Sequence, residues 1–273
     1  MRAQRRLGNL LALVLLALGS GVMVLPFLWM VLTSLKPFPE LFTLRFLPQE
    51  PTLENYRQVL WGTGFPRWFL NSLLVAAVTT ASVLFFDSLA GYTLARLRFP
   101  GRGLLFVLIL STLMVPTEML VIPWYVMSAE KGWINTYFGL LFPGLVTAFG
   151  VFLMRQFFET LPQDLFDAAR IDGLSEFGVF WRVGLPLVRP ALAALGIFTF
   201  LGNWNAFLWP LIVVQTPEMR TLPVGIALFS GEAGTAWNLI MAASSLAILP
   251  VLVVFFFFQR QIIEGVVLTG LKG

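Results

Sequence analysis

Few side chains in this sequence can do chemistry. Among its 273 residues there is no His and no Cys. That excludes imidazole and thiol catalysis, disulfide cross-links and zinc sites built on those ligands, and no cofactor is expected. No G-x-x-x-x-G-K-[ST] phosphate loop occurs. None of the three lysines, Lys36, Lys131 and Lys272, is preceded by Gly and followed by Ser or Thr. The chain is therefore not expected to hydrolyse ATP by itself. Two carboxylates, Asp87 and Glu118, lie within long apolar stretches, and ionisable groups at membrane depth serve ion or proton coupling in many transporters. Asp87 stands about two helical turns from Arg96, and pairing with Arg96 or Arg98 is the favoured reading. Glu118 lies between Pro116 and Pro123, whose kinks free backbone carbonyls; a gate or a helix-packing role suits it. A third group, Thr199, Asn203, Trp204, Asn205 and Trp209, combines amides with indole rings, which bind sugar hydroxyls and sugar faces. Asn205 and Trp209 are four apart and on one helix would share a face. Asn203, Asn205, Trp209 and Glu118 are thus candidates for a substrate path. The same residue types also hydrogen-bond between helices and anchor at membrane interfaces, and for span residues that is the commoner use.

The elements that would carry these groups follow from composition. Hydrophobic residues make up 58% of the chain and charged ones 12%, against about 25% charged in a soluble domain. A soluble enzyme and a disordered chain are both excluded. The net charge is +4, but the basic residues sit in short runs between apolar segments rather than on one polar surface, which points away from nucleic acid. Six apolar segments, at about 10–32, 69–95, 104–127, 137–153, 191–214 and 239–258, are predicted as transmembrane helices, one crossing needing about 20 apolar residues. Runs such as 251–258 do not alternate as barrel strands do. The fold class is therefore all-α, a polytopic membrane protein forming a single transmembrane domain over 1–273. The first segment follows Arg2, Arg5 and Arg6 but exceeds a signal-peptide core of about 7–15 residues, so it is read as an uncleaved span.

Charge sets the orientation. The N-terminus, the loop 96–102, the loop 155–189 and the tail hold twelve Lys and Arg, and the opposite loops hold six. The positive-inside rule puts both termini in the cytoplasm. The external segment 34–68 is proline-rich and is predicted as an irregular cap with one short helix near 53–60.

The cytoplasmic loop 157–189 is the best-patterned polar segment. Thr160 followed by Gln163 fits a capping box, with Pro162 in the first turn. A helix is expected over 163–171, with Leu165, Phe166 and Ala169 on one face. Gly173 suits the left-handed position that ends a helix, and Ser175 can cap a second helix over 176–183. Pro186 and Pro190 separate this hairpin from the fifth span. Such an amphipathic hairpin serves equally to rest on lipid headgroups or to dock a cytoplasmic partner.

The run Asp167-Ala168-Ala169-Arg170-Ile171-Asp172-Gly173, followed by Leu185-Pro186, resembles the EAA loop of ABC-transporter permeases, with Asp in place of the usual Glu. The likeness is greatest to permeases of binding-protein-dependent sugar importers of the maltose type. Asn71-Ser72-Leu73, 95–101, Ile122-Pro123, Asn135-Thr136-Tyr137, 204–210 and the tail 265–273 are similar to that family in order along the chain. Ala206 departs from the pattern, which has an acidic residue after Asn205. The resemblance implies an inner-membrane permease subunit without its own ATPase site. Its implied partners are a sister permease, an ATP-binding subunit dimer and an extracytoplasmic sugar-binding protein, with membrane lipid around the spans and no nucleic acid. It implies coupling to the ATPase through Asp167, Ala168, Ala169 and Gly173, and a tail, Gly270, Leu271, Lys272 and Gly273, reaching toward the ATPase dimer. It also implies that sugar contacts lie mostly on the sister permease; glycerol phosphates and polyols remain open as cargo. The rival readings are a stand-alone ion-coupled transporter using Asp87 and Glu118, and an intramembrane enzyme. The second is disfavoured because no two polar residues obviously converge on one site.

Overall fold

The structure is a computed structural model that describes residues 2–43, 45–231 and 234–270, with side chains described over 12–43, 45–231 and 235–259. In chain order the helices are α1 (Arg2–Ser34), α2 (Glu54–Gly62), α3 (Phe65–Arg96), α4 (Arg102–Thr112), α5 (Thr117–Glu130), α6 (Tyr137–Leu141), α7 (Ala148–Thr160), α8 (Gln163–Ile171), α9 (Glu176–Val179), α10 (Leu185–Leu187), α11 (Arg189–Trp204), α12 (Leu208–Val213), α13 (Leu222–Ala227), α14 (Trp237–Ala247) and α15 (Leu249–Gly270). A turn of π-helix over Phe180–Gly184 joins α9 to α10. Two-residue strands at Ser230–Gly231 and Gly234–Thr235 pair antiparallel. The 33 residues of α1 and the 32 of α3, at about 1.5 Å each, exceed a hydrocarbon core of about 30 Å. Among the described residues three helices are long and apolar enough to cross a bilayer, and there are up to six crossings if each of three bent pairs is one span.

Those bent pairs refine the predicted spans. The third consists of α4 and α5, which meet at 96°. Pro116 caps α5, and a proline disfavours the helical region at the residue before it, in keeping with the break of the helix at 113–116. In the fourth, the segment Tyr137–Gly144 meets α7 at 42° across a break at 145–147. Ahead of the fifth, the segment Glu176–Leu187 meets α11 at 83° across Val188, and α11 stops at Trp204 with Asn205 as the C-cap. Asn205 and Trp209 consequently lie on either side of a break rather than on one continuous face.

The chain forms two compact units. The first contains 1–66 and 225–249, where α14 packs on α1 and α2. A helix end leaves carbonyls without partners, and buried Asn55 supplies them after α1. Its Nδ2 donates to the carbonyls of Ser34 (2.7 Å) and Lys36 (2.8 Å), while its Oδ1 accepts from Asn238 at 2.7 Å. The predicted irregular cap with one short helix is what 35–62 forms, with a 3₁₀ turn at Phe38–Phe42 added.

The second unit contains 67–224 and 250–273. Its core gathers Val83 and Tyr92 of α3, Met154 and Phe158 of α7, Phe166 and Ala169 of α8, Val179, Phe180, and Ala191 and Leu195 of α11. Tyr92 meets the rings of Phe158 and Phe180 at 5.4 Å each, within the range of favourable aromatic pairs.

Candidate functional site

The hairpin 161–188 has the expected helix over 163–171 and turn at Gly173, but its start, the side Leu165 takes and its second helix, α only over 176–179, differ from the expectation. Thr160 does not cap α8. It belongs to the last turn of α7, where its Oγ1 donates to the Phe157 carbonyl at 2.8 Å. Pro162 takes the N-cap position of α8 without a side-chain cap. The end of α8 is closed in full. Gly173 has φ +84°; its N–H donates to Arg170 O at 3.0 Å and Leu174 N–H to Ala169 O at 3.1 Å. This pair of bonds is a Schellman closure, which favours Gly at the left-handed position. Ser175 caps α9, its side chain accepting from Gly178 N–H at 3.2 Å.

Helical periodicity then sorts the faces. Phe166 and Ala169 are buried in the unit's own core. Asp167, Ala168 and Asp172 are exposed, Leu165 is 44% exposed and Ile171 86%. Leu165 therefore does not share the inward face predicted for it. Of the four residues that the resemblance implies for coupling, Asp167 and Ala168 face outward, Ala169 faces inward, and Gly173 forms the turn with open space around it.

A polar chain ties the hairpin to the end of α3. Arg170 Nη1 donates to Asp167 at 2.6 Å, and its Nε and Nη2 reach the two Glu176 oxygens at 2.7 and 3.2 Å. Tyr92 donates to Glu176 at 3.1 Å. Gln163 donates to Asp167 at 3.0 Å and accepts from Arg96 at 2.9 Å. Arg96 also donates to the carbonyls of Leu161 (2.6 Å) and Phe158 and lies over the Phe166 ring at 4.3 Å. The forked geometry matches guanidinium to carboxylate. Hydrogen bonding to Glu176 holds the Arg170 guanidinium above its ordinary value, and the same bond holds the Glu176 carboxyl below the usual carboxylate range. Sequence reasoning missed this network, because Arg170 and Glu176 are six apart and meet only across the Gly173 turn.

The remaining candidates fall elsewhere. Asp87 is fully buried and pairs with neither Arg96 nor Arg98. Its oxygens accept from Thr147 N–H at 3.0 and 3.2 Å and from Thr147 Oγ1 at 2.6 Å. Thr147 is the N-cap of α7, so the carboxylate faces the positive end of that helix. Ser82 donates to Leu145 O at 2.7 Å, and α3 thereby secures both sides of the break in the fourth span. A Cβ on Gly150 would collide with the Asp87 carboxylate. Glu118 opens α5 and is exposed. Asp87 is thus held by Thr147, whereas Glu118 stands exposed in the first turn of another helix. Asn203 donates to its own helix at Thr199 O (2.9 Å), and Asn205 to Leu201 O (2.9 Å). Trp209 donates to Gly139 O at 2.9 Å and packs on Trp124 and Phe142, 5.7 Å to each ring. Both amides therefore bond within their own helix rather than between helices, and of these three side chains only Trp209 donates to another element. Leu271, Lys272 and Gly273 of the predicted tail contact lie outside the described residues, and Gly270 ends α15.

Two motifs quoted for the resemblance meet at the other end of α3. Asn71 donates to Glu218 O and Arg220 O, 2.8 Å each, and Tyr137 donates to Asn71 at 2.8 Å. Ser72 accepts from Leu222 N–H at 2.8 Å, and Asn135 from Gln215 and Thr216 N–H at 3.0 and 3.1 Å. Together they pin the segment 214–222.

Comparison with known proteins bears on the whole chain. Residues 87–267 match the family described as binding-protein-dependent transport system inner membrane component. The arabinooligosaccharides transport system permease protein AraQ of Bacillus subtilis is 39% identical over 259 residues, covering 93% of this chain and 92% of the relative. The trehalose/maltose transport system permease protein MalG of Thermococcus litoralis is 34% identical over 269 residues, covering 95% and 97%. In fold, the chain is similar to a subunit of a bacterial ABC transporter involved in the import of the acidic polysaccharide alginate. The TM-score is 0.83 with 24% identity, over 93% of this chain and 96% of that one.

Proposed function

This chain belongs to the family of binding-protein-dependent transport system inner membrane components, and from that premise we propose that it is one permease half of an ATP-driven importer of sugars or oligosaccharides. It acts as a single transmembrane domain, multi-pass in the inner membrane with both termini cytoplasmic. A sister permease completes the pathway, two ATP-binding subunits supply the energy, and an extracytoplasmic sugar-binding protein delivers the cargo. The oligosaccharide substrates of the relatives support that cargo class.

The observation that carries the reading is the hairpin. Its inner face is packed into the core through Phe166 and Ala169, while Asp167, Ala168 and Ile171 are left outward around the turn at Gly173. An outward apolar surface on a rigidly anchored polar loop suits a partner's cleft. A displacement of α8 is passed to α7 through Phe158, to α3 through Tyr92 and to α11 through Leu195, because closely packed interiors transmit strain. ATP binding closes the ATPase dimer and draws the docked hairpins together. The spans then open outward, and hydrolysis resets them. Purified alone, the chain turns over no ATP; reassembled with ATP-binding subunits and sister permease, it supports hydrolysis stimulated by the loaded binding protein. Sustained turnover by the isolated chain would refute this division of labour.

A further inference from the structure

Between the end of α3, the connection to α4 and the hairpin lies a polar cavity of about 680 Å³. Four arginines line it, Arg96, Arg98, Arg102 and Arg170, with two carboxylates, Asp167 and Glu176. The carboxylates are already engaged, both by Arg170. Arg96 is spent on main-chain carbonyls and Gln163. Arg102 makes one bond, to Leu97 O at 3.1 Å, and Arg98 has no hydrogen bond or ion pair among the described residues. Two guanidinium groups therefore face the cavity with donors to spare and no acid to answer them. Planar guanidinium forks bind phosphate oxygens bidentately.

The surroundings select the source of that phosphate. Arg102 is the first residue of α4, and the following residues Leu104, Leu105, Val107 and Leu108 are all exposed and apolar. Phe99, between the two arginines, is partly exposed as well. An anionic ligand here has apolar surface beside it at the end of a transmembrane helix. A soluble anion would gain nothing from such a surface, whereas lipid acyl chains would lie along it. Basic pockets at the cytoplasmic ends of spans are known receptors for acidic lipid headgroups.

We propose that this arginine-lined cavity is a binding site for the headgroup phosphate of an anionic phospholipid in the adjoining leaflet. The site rests on the topology given above, which puts this end of α3 at the cytoplasmic surface. It shares Asp167 with the outward face of α8, while Ala168 and Ile171 lie outside its lining.

The test uses the assembled transporter in detergent, titrated with phosphatidylglycerol or phosphatidylcholine and read by native mass spectrometry. Arg98→Gln/Arg102→Gln is compared with the wild type, and retention of the ATP-binding subunits is recorded in the same spectra. The wild type retains phosphatidylglycerol in preference to phosphatidylcholine. The double variant loses that preference, by roughly fivefold for each arginine removed, and keeps its ATP-binding subunits. Inorganic phosphate in excess fails to displace the lipid. The proposal is overturned if the wild type shows no preference or the variant retains it. It is also overturned if inorganic phosphate displaces the lipid completely, which makes the site one for a soluble anion. Loss of the ATP-binding subunits with lipid retention unchanged overturns it too, because the cavity is then a protein contact. Failure of the lipid preference with intact assembly would leave the permease reading standing.

Discussion

Gly173 offers a perturbation whose cost can be divided into two parts. Its φ of +84° is one that L-residues seldom adopt, and nothing lies within 4 Å of where a Cβ would be built. In the free hairpin the penalty of substitution is therefore conformational alone. Gly173→Ala should cost about 1 kcal/mol, Gly173→Val more, and Gly173→Asn least, since Asn tolerates the left-handed region. At about 1.4 kcal/mol per tenfold, the Ala variant should open the turn roughly fivefold more often. Amide hydrogen exchange at Gly173 and Leu174, whose N–H groups close the motif, reads that opening directly. Co-purification of the ATP-binding subunit reads the second part. If the partner occupies the open space at Gly173, the Asn variant keeps its exchange protection yet loses the partner. If the space stays empty in the complex, partner retention follows the order Gly, Asn, Ala, Val. Wild-type exchange in the Val variant would refute the argument from backbone conformation.

Two further outcomes follow from the geometry. Thr147→Val removes the hydroxyl that donates to Asp87 and accepts from Gly150 N–H, so the purified complex should lose about 1–2 kcal/mol of stability; an unchanged melting temperature would count against the clasp. In this Cys-free chain, Ser175→Cys should stay unlabelled by an impermeant thiol reagent applied outside intact cells while Gln49→Cys labels, and the reverse pattern would invert the topology.

Some elements were legible in the sequence for definite physical reasons. Apolar lengths mark the spans, and Gly173 and Ser175 mark the hairpin's turn because a left-handed C-cap and an N-cap each demand particular residue types. The span interiors were less legible. Hydropathy counts apolar residues but does not register a break, so it marks 113–116 and 145–147 as continuous helix. For Asp87, sequence proximity suggests charge pairing with an arginine. Its partner Thr147 is sixty positions away and becomes its neighbour only when the fourth span breaks beside α3. The inward turn of Ala169 was legible in the 3.6-residue period, as it falls three positions after Phe166. The ion-pair network across the hairpin was not, since contact between Arg170 and Glu176 depends on the path of the intervening turn.

If α8 is the coupling element, its outward face receives the ATP-binding subunit. Ala168 is exposed in this chain, so Ala168→Trp adds bulk outside its own core and should leave the permease inserted and folded. Binding-protein-stimulated ATP hydrolysis by the reconstituted complex is the direct measurement. The account predicts that the Trp variant inserts normally, fails to retain the ATP-binding subunits and shows no stimulated hydrolysis. Full stimulated hydrolysis by that variant would mean that the hairpin is a surface helix and that energy enters the bundle by another route.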